Sequence, residues 1–156
     1  MSLARNVLLF AMFAALSSLA SAQQINEDAE GGVFDQPYLP LLETLIDHVG
    51  EGRIDDALTI LENDTSKGVP EQSRDSLKRT LANIYGGGGK YEGHEMVALE
   101  MVSARLHRAY AIAYHERQPV IYTFTMYQFD GEWKMHHVNW NDNIAELAEI
   151  VNRQRR

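Results

Sequence analysis

The chain of 156 residues has no cysteine. No disulfide can staple the fold, so a buried core must hold it. A lipid-modified cysteine is excluded for the same reason. Basic charge is also short: 14 Lys and Arg stand against 22 Asp and Glu, for a net charge of −8. Such a chain is a poor match for a phosphate backbone, and no nucleic-acid partner is expected. Long apolar runs are missing too. The longest, residues 7–16, is shorter than the about 20 apolar residues a membrane-spanning helix needs. There is no internal repeat.

That short run sits in a recognisable setting. Arg5 precedes it, and a small-residue stretch ending Ala20-Ser21-Ala22 follows. Positive start, apolar middle and A-x-A exit make residues 1–22 a cleavable signal peptide, cut before Gln23. The expected location is therefore exported, periplasmic or secreted, with no stable membrane insertion after cleavage. Residues 23–34 are polar and glycine-containing and read as a disordered lead-in. Residues 35–152 are long enough for a single domain with its own core, and 153–156 form a basic tail.

Apolar spacing sets the elements. Tyr38, Leu41, Leu42, Leu45, Ile46 and Val49 recur at helical intervals, with Pro37 near the first turn and Gly50 and Gly52 at the end. A second helix is expected over 53–62, with Ile54, Ala57, Leu58 and Leu61 on one face. A third is expected over 70–85, stopped by the glycines 86–89. The period then changes from 3.6 to 2. Strands are expected over 94–102, 104–115, 120–129 and 132–140, the last two joined at Asp130-Gly131, a strong hairpin signal. Asn143 and Glu146 suit the start of a short closing helix. This order predicts an α+β fold: N-terminal helices packed on a curved four-stranded antiparallel sheet, a cone or roll, with a short C-terminal helix.

A two-residue turn at Asp130-Gly131 pairs Phe129 with Glu132, Tyr127 with Lys134, Thr125 with His136 and Thr123 with Val138. That face looks solvated. The other carries Tyr122, Phe124, Met126, Trp133 and Met135, and on this register also His137 and Asn139, so it is expected inside. Val138 and Trp140 fall outside, to be covered by the C-terminal helix or a partner subunit.

The segment QPVIYTFTMYQFDGEWKMHHVNWND, residues 118–142, resembles the last hairpin of small exported bacterial domains of the nuclear transport factor 2-like superfamily. Gln118, Pro119, Phe124, Tyr127, Gly131, Trp133 and Asp142 carry the likeness. The resemblance implies a cone-shaped fold with an apolar pocket at its open end, and often dimers through the sheet. Its members range from isomerases and dehydratases to non-catalytic binding modules, so fold alone leaves function open. Its enzymes usually hold an Asp, or an Asp–His pair, in the cone, and no Asp falls on the expected inner strand positions here.

Other motifs dissolve on inspection. The run Gly86–Lys90 lacks the first glycine and the Ser/Thr of a phosphate loop, and leads from helix to strand. His94-Glu95 would need a second His where Ala98 stands. The sequon Asn63-Asp64-Thr65 matters only in a eukaryotic host. Among the histidines, His48 suits a helix C-terminus, His115 borders a turn and is expected exposed, and His107 and His136 are expected outward. Adjacent His136 and His137 should point to opposite sides, so no metal site and no cofactor are expected.

The leading expectation is a non-enzymatic exported domain. It would hold a small apolar or amphipathic ligand among Tyr110, Tyr114, Tyr122, Phe124, Trp133, Met135, His137 and Asn139, or bind a protein partner. Acid–base catalysis by His137 or Glu95 is the enzymatic alternative. A homodimer through an apolar sheet face is the structural one.

Overall fold

A computed structural model describes residues 35–154. The expected signal peptide and lead-in lie outside these residues, as do the last two positions of the basic tail. Contacts gather the described residues from Gln36 onward into one compact unit. The elements are α1 (Leu39–Gly50), α2 (Ile54–Asp64), α3 (Glu71–Gly88), β1 (Tyr91–Ser103), β2 (Leu106–His115), β3 (Val120–Phe129), β4 (Glu132–Asn141) and α4 (Ile144–Gln154). The strands form an antiparallel meander, β1-β2-β3-β4, that is not closed into a barrel. The α+β architecture is as expected, three helices before the sheet and a short one after it.

Strand β2 shows why the helices sit where they do. Ala109, Ala111 and Ala113 alternate along it and are fully buried. Their small side chains let α1 and α2 approach the sheet closely. Leu42, Leu45, Ile46, Val49, Leu58 and Leu61 meet Tyr122, Phe124, Met126 and Met135 there in the main core. The opposite positions of β2 and its neighbours, Tyr110, Ile121 and Ala98, form a second, smaller core under Leu147 and Ile150 of α4. The domain thus has three layers: helices α1–α3, the sheet, and α4 over part of the outer face.

Two element ends differ from expectation for a packing reason. Helix α3 runs through Gly86 and Gly87 to Gly88 instead of stopping before them. A Cβ on Gly88 would lie 2.7 Å from the His115 ring, and one on Gly50 2.5 Å from the Tyr91 ring. Glycine is needed at both places so that these rings can lie against the helix ends. Strand β1 starts at Tyr91, earlier than expected, because Tyr91 pairs with His115. At the C-terminus, Asn143 caps α4 as expected: Glu146 N–H donates to Asn143 Oδ1 at 3.3 Å. The helix then continues past 152 into the expected tail, where Gln154 Nε2 donates to the Leu99 carbonyl.

The β3–β4 hairpin corrects the register. Asp130 and Gly131 both take positive φ, 51° and 82°, as a type I′ turn requires. Phe129 pairs with Glu132 and Tyr127 with Lys134, as expected. Beyond Met126 and Met135 a bulge intervenes, and Thr125 pairs with His137, Phe124 with Val138 and Tyr122 with Trp140. One inserted residue exchanges the two faces downstream. Val138 and Trp140 therefore pack against the main core, while His137 and Asn139 are exposed. The outer apolar patch expected at Val138 and Trp140 does not exist.

Candidate functional site

The structure scatters the expected pocket. Tyr122, Phe124 and Met135 are buried among the helix-side core residues, with Trp133 packed against them. Tyr110 lies on the other side of the sheet, because β2 pairs Tyr110 with Thr123 and Ala111 with Tyr122. Tyr114 is 41 % exposed and donates its hydroxyl to Glu95 at 2.9 Å. The bulge carries His137 and Asn139 outward. Glu95 on β1 and His137 on β4 belong to opposite edge strands, about 14 Å apart at ordinary strand spacing. They cannot act together as acid and base.

Two histidines expected at the surface are buried. His107 faces the helices, and its Nδ1 lies 2.7 Å from the Tyr38 hydroxyl. Its ring centroid is 4.4 Å from that of Trp133. Burial lowers the His107 pKa, and burial pushes Tyr38 up to about 12. His115, beneath Gly88 and against the Tyr91 ring, has no hydrogen-bond partner for either ring nitrogen among the described residues. The Tyr122 hydroxyl is likewise buried and unpartnered, and burial raises its pKa.

What the structure does bring together lies elsewhere. On the outer face, beyond the reach of α4, Leu106, Tyr127 and Phe129 line a groove of about 610 Å³, with Lys67, Lys134 and His136 along it. Tyr127 is 38 % exposed and Phe129 69 %. The strands place these residues by alternation: Leu106 pairs with Tyr127, Tyr127 with Lys134. The third wall is the α2–α3 connection. Thr65 forms a parallel bridge with Met135, and Ser66 N–H donates to the Met135 carbonyl at 2.8 Å. Ser66 Oγ lies 3.3 Å from His136 Nδ1. The connection thus straps the β4 edge, blunting an otherwise open strand.

A second cluster joins α1 to β1. The Tyr91 hydroxyl donates to Asp47 Oδ1 at 2.7 Å, and His94 Nδ1 sits 2.9 Å from the same oxygen. Burial, together with that carboxylate, raises the Tyr91 pKa. The carboxylate fixes the imidazole with its Nδ1 side inward, an orientation that suits proton transfer through Nε2. Among the described residues, no group of three or more ligating side chains could hold a metal ion.

The sequence hid both places. Tyr127 and Phe129 stood on a face that Glu132, Lys134, Thr123 and Thr125 marked as solvated. The available signal was two large aromatics alternating on a polar face. Asp47 and His94 are far apart in sequence, and no spacing rule links a helix carboxylate to a strand histidine. Comparison with protein-family models, curated proteins and solved structures gives no match.

Proposed function

We infer that this is a non-enzymatic binding module, acting in the periplasm or outside the cell, whose ligand is a small amphipathic molecule held in the outer-face groove. The observation that carries this reading is the bare apolar floor of Leu106, Tyr127 and Phe129 in a groove of about 610 Å³. That volume falls in the range of about 300–1,000 Å³ common to small-molecule sites. Two large aromatics left open beside one another in a chain with a well-filled core are a recurrent mark of an interaction site. The export part rests on the tripartite character of residues 1–22. The likeness of residues 118–142 to nuclear transport factor 2-like domains agrees with a binding role, although the groove lies outside the cone such domains use.

Calorimetric titration with an uncharged amphiphile, decyl maltoside below its micelle concentration, tests it. Saturable binding is expected, weakened about tenfold or more in Tyr127→Ser/Phe129→Ser, since each ring supplies contact area at the floor. Binding that ignores this double substitution, or no saturation at all, would remove the groove from consideration.

The Asp47–His94 pair favours one second reading, acid–base chemistry on an enolisable compound. Here the acid–base pair is Asp47 with His94, not His137 or Glu95. Proton exchange of a simple ketone in heavy water, followed by NMR, checks it. His94→Gln should abolish any protein-dependent exchange, and a protein without such exchange has no use for the pair as a base.

A further inference from the structure

The geometry points to a free single-chain amphiphile with a carboxylate head as the groove's occupant. This rests on the binding reading above and adds the sign and place of the ligand's charge. The protein carries a net charge of −8, yet the ionisable groups along the groove, besides Tyr127, are Lys67, Lys134 and His136, with no carboxylate among the described lining residues. A local reversal of sign in an acidic chain attracts an anion to that spot.

The basic side chains are gathered by the fold. The strap brings Lys67 beside β4 through the Ser66 bonds to Met135 and His136. His136 is the inserted residue of the bulge, between Met135 and His137, and it lines the groove together with Lys134. The carboxylate paired with Lys134 is that of Glu132, 3.9 Å away and with a side chain 76 % exposed. Such a pair is at the outer limit of contact and leaves the ammonium able to take a second anion. Lys67 enters no ion pair among the described residues.

Apolar floor and cationic edge together match a molecule with one tail and one anionic head. A bilayer is the poorer occupant. The apolar side chains line a groove on a sheet face, which admits a single chain, and the acidic body of the protein is repelled by an anionic leaflet.

Titrating the purified full chain with decanoate, decyltrimethylammonium and decyl maltoside, each below its micelle concentration, reads the head-group preference at constant tail length. Decanoate should bind about fivefold tighter than the maltoside or better, with the cation weakest, and added salt should shrink the difference. Lys67→Gln/Lys134→Gln, with unchanged melting, should erase the preference while leaving maltoside affinity within about twofold. Equal or better binding of the cation, or a preference untouched by the double substitution, overturns the head-group assignment and leaves the groove reading standing. No saturable binding of any of the three overturns the groove reading and this inference with it. Sedimentation with phosphatidylglycerol vesicles provides the membrane arm: capture on vesicles without decanoate binding overturns the free-monomer assignment.

Discussion

The outer face of the sheet has two apolar halves with different fates. At one end Ala98, Tyr110 and Ile121 are sealed under Leu147 and Ile150 of α4. At the other, Leu106, Tyr127 and Phe129 stay open. Both halves use outward positions of the same strands, and both hold tyrosine beside an aliphatic residue. The difference lies in the element above. Helix α4 begins just past the end of β4, at the edge of the sheet far from the hairpin turn. From there it crosses the strands to β1, where Gln154 donates to the Leu99 carbonyl, and it packs on Ala98, Tyr110 and Ile121 on the way. The helix therefore covers one end of the sheet and leaves the hairpin end bare. Closure is set by the path of the helix and not by any change in the polarity of the strands.

The largest expected effect comes from undoing the sealed half. Leu147→Ala removes a side chain only 4 % exposed and should cost about 2–4 kcal/mol in urea unfolding. It should also make Tyr110 and Ile121 more open, although Ile150 still covers them in part. A loss below about 1 kcal/mol would show that α4 rests on the sheet without clamping it.

A smaller effect separates what lies behind each half. The open half backs onto His107, whose pKa burial lowers. The unfolded chain then takes up a proton near pH 6.5 that the folded chain refuses, so stability is full above that pH and falls as the pH drops below it. At the alkaline end Tyr38, pushed up to about 12, keeps its contribution to about pH 10 and loses it as the pH rises toward 12. Melting followed from pH 8 down to pH 5 should show the acid slope, and His107→Gln should flatten it.

The smallest effect concerns the sealed half, which backs onto Tyr122 with its unpartnered hydroxyl. Tyr122→Phe deletes a buried polar group that no described residue satisfies. It should leave stability unchanged or raise it by up to about 1 kcal/mol. A clear loss would mean that the hydroxyl is held by a bound water.

Much of this fold is legible in the sequence. The stripe from Tyr38 to Val49, the three helices before the sheet, the Asp130-Gly131 turn and the Asn143 cap all have local chemical causes within a few residues. The failures share a different origin. Ala109, Ala111 and Ala113 form the inner face of β2, but a rule that places bulk inside favours Tyr110, Ile112 and Tyr114. Only the close approach of α1 explains the alanines. The bulge after Met135 has no composition of its own, and every assignment beyond it, from His137 to Trp140, reversed as a unit. The groove escaped notice because its third wall, Thr65–Lys67, lies some seventy positions from β4, and its openness depends on where α4 crosses the sheet.

That same bulge has an optical consequence. Trp133 and Trp140 are an odd number of residues apart, so an unbroken strand would send them to opposite faces. The inserted residue restores the parity, and both indoles pack against the helix-side core. The protein's two tryptophans thus report from one side of the sheet. Their fluorescence follows the loosening of the helical layer and stays blind to whatever enters the groove on the other.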